Sequence, residues 1–223
     1  MIVLDENAVD RRRAPWSTFK IPNLIIALET GVATDLAHWR DWNQHRPAAN
    51  YWPTAWKQGH SLASAFKRSV VWYFQEIALE VGTTRYRKDL LRFGYGNASV
   101  PMHSDDFWLG GPLIISPREQ THFLKRVLDG SLVISDRTRD MLREVSLIKS
   151  AGDYALHGKS GSGRLEGSGV EGWFVGWVER ARTPIATFAL HLRAPDFRSL
   201  RDARFYISEK LLRTAGYLPQ DWK

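Results

Sequence analysis

Apolar residues crowd the stretch from Thr18 to Thr30, where Phe19, Leu24, Ile25, Ile26 and Leu28 predict a mostly buried helix that Gly31 ends. Pro22 must lie near the first turn of that helix, since a proline further in would kink it. Helical periodicity returns over Val70–Val81 and Thr84–Phe93, after which a polar stretch from Tyr95 to Asp106 is closed by Phe107-Trp108-Leu109. Ser116 with Glu119 three residues on has the pattern of a capping box, and Ser135 to Ser146 predicts another helix rich in charge pairs. Both are expected as exposed helices. Beyond Asp153 the pattern changes to β-branched and aromatic runs, Tyr154–Lys159, Trp173–Glu179 and Ile185–Leu192, separated by Gly or Pro turns. A last helical segment, Leu200–Arg213, places Leu200, Phe205, Ile207, Leu211 and Leu212 for burial and stops at Gly216.

Ile2–Leu4 reads as a short strand, Asp5–Arg13 as a connection, and the Trp-, Pro- and Asn-rich stretch from Ala37 to Gly59 as irregular with at most one short helix. The order predicts one α+β domain over residues 1–223: an antiparallel sheet flanked by helices, with an inserted helical subdomain. The helical part is expected roughly over 32–150 and the sheet part over 1–31 and 151–223.

Composition narrows the possibilities. A chain of 223 residues that is 43% hydrophobic can bury a sizeable core. Its 31 Lys and Arg outnumber its 24 Asp and Glu, giving +7, but the longest basic run is Arg11-Arg12-Arg13. With no stripe of interleaved basic and aromatic residues, a nucleic-acid partner is not expected. The absence of cysteine excludes disulfides, thiolate metal sites and a cysteine nucleophile. His103, His157 and His191 lack metal-ligand spacing, so no metal is predicted. No stretch approaches 18 apolar residues, and residues 1–5 lack the basic start and apolar core of a signal peptide, so neither a span nor a leader is expected in this sequence.

The candidate chemistry is a serine with a lysine three residues later, neighbours on one helix face, so that the amine can take the hydroxyl proton. The spacing occurs three times, as Ser17 to Lys20, Ser64 to Lys67 and Ser146 to Lys149, and each also reads as a capping serine beside a solvated lysine. Only the first is preceded by Pro15-Trp16 and followed by an apolar helix, which would bury Lys20 and lower its pKa by desolvation.

Further short motifs follow in order: Ser17-Thr18-Phe19-Lys20-Ile21-Pro22-Asn23, Ser69-Val70-Val71, Tyr95-Gly96-Asn97 with Phe107-Trp108-Leu109, and Lys159-Ser160-Gly161. With Glu29-Thr30-Gly31, Gly176-Trp177-Val178-Glu179 and the last helix, they resemble the motif set of class D, oxacillinase-type, serine β-lactamases over nearly the whole chain. The resemblance implies a helical part beside a five-stranded or similar antiparallel sheet, with the site between them, and hydrolysis of β-lactams through an acyl-enzyme on Ser17. It implies that Lys20 reacts with carbon dioxide or bicarbonate to become an N-carboxylated base, with no other cofactor, and only a neutral amine could do so. Trp108 then corresponds to an indole donor to the carbamate and Val71 to an apolar wall, although core packing is the plainer role for a tryptophan in a chain with ten.

Ser69 corresponds to a proton relay between Ser17 and Lys159, or to a simple helix cap. Lys159, Ser160 and Gly161 correspond to the strand that receives the substrate carboxylate, and the amides of Ser17 and Ser162 to an oxyanion hole. The family more often has threonine at Ser160 and a bulkier residue at Ser162. Arg201 matches the carboxylate-binding arginine, with Arg198 and Arg204 as rivals, and Tyr95 and Asn97 are expected to hold their loop. The family has a further helix and strand upstream of the serine, so an incomplete sheet edge is expected. A monomer or homodimer in the periplasm or outside the cell follows from the family. The alternative is a β-lactam sensor domain, acylated at Ser17 without turnover.

Overall fold

The computed structural model describes residues 2–45 and 47–222. A 3₁₀ turn, Trp16–Phe19, runs into helix α1, Lys20–Thr30, which is buried on all sides from Lys20 to Ala27. Gly31 (φ 76°) ends it in the left-handed region, its N–H donating to the Leu28 carbonyl. Pro22 is the third residue of α1, where no N–H is needed for an intrahelical bond.

Five helices follow before the main sheet: α2 (Leu62–Arg68), α3 (Val71–Val81), α4 (Thr83–Phe93), α5 (Pro117–Leu128) and α6 (Asp136–Ser146). The capping box of Ser116 and Glu119 is present as predicted. Two-residue strands β1 (Trp39–Arg40) and β2 (His60–Ser61) pair across the irregular segment, one near its start and one just past its end, and the segment carries one 3₁₀ turn, Thr54–Trp56. The main sheet is antiparallel, ordered β3 (Leu147–Ala151), β4 (Tyr154–Arg164), β5 (Val170–Arg180), β6 (Thr183–Ala194), and α7 (Phe197–Thr214) completes the chain.

Strand β5 is buried at every residue but its last, because both faces of the sheet are covered. Its side chains alternate between two cores. Trp173, Val175 and Trp177 join the large core shared with the helical part, whereas Phe174 and Val178 meet α7 and the C-terminal Leu218 and Trp222. Phe174 packs 4.6 Å, ring to ring, from Phe205 of α7.

Several expectations need correction. Residues 2–4 form no strand; Ile2 and Leu4 are each 66% exposed, and the β pairing of the described N-terminal segment is an isolated bridge of Arg13 with Ile115. All four strands of the main sheet come from residues 147–194, so none of the described residues 2–31 contributes to it. The helices α5 and α6 are not merely exposed but amphipathic, burying Phe123, Leu124 and Val127, and Leu142 and Val145. The helix α2 and the edge strand β3 were not anticipated.

Candidate active site

The turn at Trp16–Phe19 is held from every side. Trp16 takes a positive φ of 50°, its N–H donates to the Trp108 carbonyl at 3.1 Å, and its indole Nε1 donates to Glu171 at 3.1 Å. The Thr18 hydroxyl donates to the Pro15 carbonyl at 2.7 Å and accepts from Gln120 at 3.0 Å. Phe19 stacks on Trp108 with centroids 5.1 Å apart and takes the edges of Tyr95 and Phe107. A strained backbone so over-determined is a mark of functional turns. Its product is a partly exposed Ser17 directly before a buried helix.

Lys20 is wholly buried, its Nζ 3.1 Å from Ser17 Oγ and 5.3 Å from the centroid of the Phe74 ring. Burial, and secondarily the charge of Lys159, drive its pKa well below the ordinary lysine value. A second serine–lysine pair faces it. Ser69 closes α2 in the left-handed region (φ 58°), and Lys159 Nζ on β4 donates to Ser69 Oγ at 2.5 Å and to the Ser160 carbonyl at 3.0 Å. Lys159 lies 5.8 Å from the centroid of Phe66, and burial, then repulsion from Arg204, lower its pKa to about 7.

Strand β4 meets the turn at two glycines. A Cβ on Gly161 would lie 2.8 Å from both the Pro15 carbonyl oxygen and the Ser17 amide nitrogen, and one on Gly163 would fall within the Trp16 ring. Only glycine lets strand β4 lie this close to the turn that carries Ser17. A Cβ on Gly172 would touch both Ser162 and Leu200 of α7, which puts the Ser162 side chain toward the helix that carries Arg201.

Val71 is buried in the first turn of α3, and Trp108 is buried with its Nε1 lacking an acceptor among the described residues. Asn97 binds its own loop: Oδ1 accepts from the amides of Ile114 and Ser99, and Nδ2 donates to the Pro112 carbonyl at 2.9 Å. Tyr95 packs edge-on against Phe123 as well as Phe19. Arg201 is exposed, its Nε on the carboxylate of its neighbour Asp202. The guanidinium that reaches the strand is that of Arg204, buried one turn later, whose Nη1 donates to the Gly161 carbonyl at 3.3 Å.

Phe74 and Arg204 thus join the site without having been singled out for these contacts. Phe74 was within reach, three residues along α3 from Val71 and therefore on the same face. No cluster of three or more metal-ligating side chains occurs among the described residues. His103 is exposed, while His157 and His191 lie against Glu179 and Glu171. No helix among the described residues is long and apolar enough to cross a membrane.

Residues 3–214 match the penicillin binding protein transpeptidase domain family. The chain is 37% identical to β-lactamase OXA-48 of Klebsiella pneumoniae over 92% of its own length and 75% of that protein's, and 36% identical to OXA-10 of Pseudomonas aeruginosa over the same shares. Among solved structures it is similar to the class D β-lactamase YbXI from Nostoc, with a TM-score of 0.87 and 30% identity over 96% of this chain and 87% of that one. It is also similar to the C-terminal domain of the Bacillus licheniformis BlaR penicillin-receptor, with a TM-score of 0.86 and 29% identity over 96% of this chain and 85% of that one.

Proposed function

Because the chain belongs to the class D serine β-lactamases, within the penicillin-binding transpeptidase family, we propose that it hydrolyses β-lactams through an acyl-enzyme on Ser17, with Lys20 as the general base. The observation that carries the reading is a wholly buried lysine amine 3.1 Å from the hydroxyl of a serine held on a strained turn. Such an amine, its basicity lowered by burial, can take the Ser17 proton as the oxygen attacks the lactam carbonyl. The amides of Ser17 and Ser162 face the developing oxyanion, and Ser69 passes a proton from Lys159 to the departing lactam nitrogen. Ser160 and Arg201 receive the substrate carboxylate, the arginine by its two-pronged geometry.

N-carboxylation of Lys20 by carbon dioxide fits the residues present. The amine is desolvated and its pKa driven down by burial, and the buried Trp108 Nε1, without an acceptor among the described residues, is a donor suited to a carbamate oxygen, with Val71 and Phe74 as apolar wall. The carbamate would supply a carboxylate-like base for both acylation and the deacylating water. We propose the periplasm or the extracellular space as its location, and a small-molecule β-lactam as its substrate, acted on by a monomer or homodimer.

The likeness to the BlaR penicillin-receptor domain favours one other reading, a sensor acylated at Ser17 without turnover. Mixing the protein with a chromogenic cephalosporin, with and without bicarbonate, while following colour and intact mass separates the two. Sustained turnover that rises with bicarbonate is the expected result. A stoichiometric adduct with no turnover would overturn it in favour of the sensor.

A further inference from the structure

Two side chains of one strand grip the segment that delivers Ser17. Glu171 and Trp173 stand two apart on β5 and therefore on the same face. The Glu171 carboxylate accepts from the Trp16 indole Nε1 at 3.1 Å, and the Trp173 indole Nε1 donates to the Ala14 carbonyl at 2.9 Å. His191, directly across from Trp173 on β6, meets that indole edge-on with 4.7 Å between centroids. Its Nε2 lies 3.3 Å from the second oxygen of Glu171.

Glu171 is the anomaly of this group. The residues that share its face further along β5, Trp173, Val175 and Trp177, belong to the large apolar core, and a buried carboxylate at 7% exposure is a costlier occupant of the strand than an apolar side chain. Trp16 is its counterpart, a bulky side chain at a positive φ of 50°. Three contacts hold that residue: its N–H on the Trp108 carbonyl, its ring against Gly163, where a Cβ would fall within it, and its Nε1 on Glu171. The third fixes the direction of the ring. The next amide along the chain, and the next side chain, are those of Ser17.

We propose that Glu171 is a positioning residue of the acylation step, which holds the Trp16 indole and so locks the left-handed turn that aims the Ser17 amide and hydroxyl. The inference rests on the hydrolytic reading above. In that step the Ser17 oxygen bonds to the lactam carbon, its proton passes to the base at Lys20, and the carbonyl electron pair moves onto the oxygen that the Ser17 amide faces. The carbon–nitrogen bond then breaks as the nitrogen takes the Ser69 proton. Attack and oxyanion stabilisation both depend on placement to a fraction of an ångström, and one residue, Ser17, supplies the nucleophile and a donor together. Glu171 acts on the step through Trp16.

The experiment is a double-mutant cycle on the contact itself: wild type, Glu171→Ala, Trp16→Phe and the two combined, with Glu171→Gln as the conservative variant. Single-turnover acylation by a chromogenic cephalosporin is read by burst and by intact mass. Glu171→Ala leaves the indole N–H without its acceptor and is expected to slow acylation at saturating substrate about 10-fold, with the half-saturating concentration within about twofold of wild type. Glu171→Gln, whose amide oxygen still accepts, should come within about twofold of wild type. Trp16→Phe should cost about as much as Glu171→Ala, and the pair no more than either alone, because the contact is lost only once. In a ¹H–¹⁵N spectrum the indole signal missing from Trp16→Phe identifies Trp16; it should shift upfield in Glu171→Ala and keep its place in Glu171→Gln. Should the alanine variant not fold, Glu171→Leu, which keeps the volume, takes its place in the cycle. Slowing by the Glu171 variant that persists in full in the Trp16→Phe background, or a glutamine variant as slow as the alanine one, would overturn the inference and leave Glu171 a structural group of the sheet. Failure of the wild type to acylate at Ser17 would overturn the hydrolytic reading itself.

Discussion

Two residues apart on the same face of β4, His157 and Lys159 are buried in opposite settings. His157 stacks flat on Trp177, 4.8 Å between centroids, its Nδ1 donates to the Arg143 carbonyl at 3.0 Å, and its Nε2 lies 3.5 Å from Glu179. Glu179 also accepts from Arg143 at 2.7 Å and from Trp177 at 3.0 Å. Burial alone would push that carboxyl up, but these neighbours bring it down to about 2. Around Lys159 no such completion occurs: Lys20, Lys159 and Arg204 are three buried basic groups, and the oxygens that meet them are hydroxyls and carbonyls. A buried carboxylate that accepts from an arginine and an indole holds a fold together, whereas buried bases without counter-charges hold reactivity. The first region should govern stability, and the second activity at the expense of stability.

The largest effect that tests this contrast is Lys20→Met. Turnover of a chromogenic cephalosporin should fall by about 10³-fold or more, while the unfolding temperature stays level or rises, because an uncompensated buried amine is replaced by an apolar side chain of similar length. A variant with wild-type rates would show that the base lies elsewhere; one that unfolds much earlier would show that the lysine serves the fold.

Glu179→Gln should do the reverse, lowering stability by about 3 kcal/mol by calorimetry or urea unfolding, since Arg143 and His157 lose their charged partner, while kcat at 25 °C changes less than about twofold. The two regions also differ in where stability depends on pH. Glu179 has a folded value below its ordinary 4.5, so its contribution is complete above about 4.5 and is lost as pH falls toward about 2. Lys159 falls from 10.5 to about 7, so between those values the unfolded chain binds the extra proton and stability rises with pH across that window. Glu179→Gln should flatten the acid slope alone and Lys159→Met the alkaline slope alone; a single variant that flattens both would show the regions to be coupled.

The legibility of the chain divides along the same line. Ser17, Lys20, Ser69 and Lys159 stand out because their motifs are local in sequence, and the structure brings the first two into one contact and the last two into another. Long helices and the strands β4 to β6 are legible from periodicity, because their buried faces are apolar. Arg204 is not: the buried line of α7 contains two polar residues, and an apolar criterion selects Phe205, Ile207 and Leu211, which are only half-buried. Strand β3 escapes for the opposite reason, being an edge strand exposed at four of its five positions, with no alternation to read. Residues 2–4 mislead because three apolar residues in a row suggest a strand, and nothing in the sequence says that no sheet edge is offered to them.

The smallest expected effect separates the two arginines of α7. Arg201 stands at the exposed start of the helix, held only by its neighbour Asp202, so Arg201→Ala removes no buried contact and the unfolding temperature should not move. If its guanidinium receives the substrate carboxylate, KM should rise about 10-fold with kcat nearly unchanged, since a carboxylate is bound alike in ground and transition states. The pH profile should keep its shape, because the charge of Arg201 is exposed and screened by solvent. Steady-state kinetics with a penicillin and with its methyl ester decide the matter: the ester, lacking the charge, should not distinguish variant from wild type. A variant that slows both substrates equally would transfer carboxylate recognition from Arg201 to Lys159 and Ser160, and would leave the exposed arginine a solvated residue of the helix start.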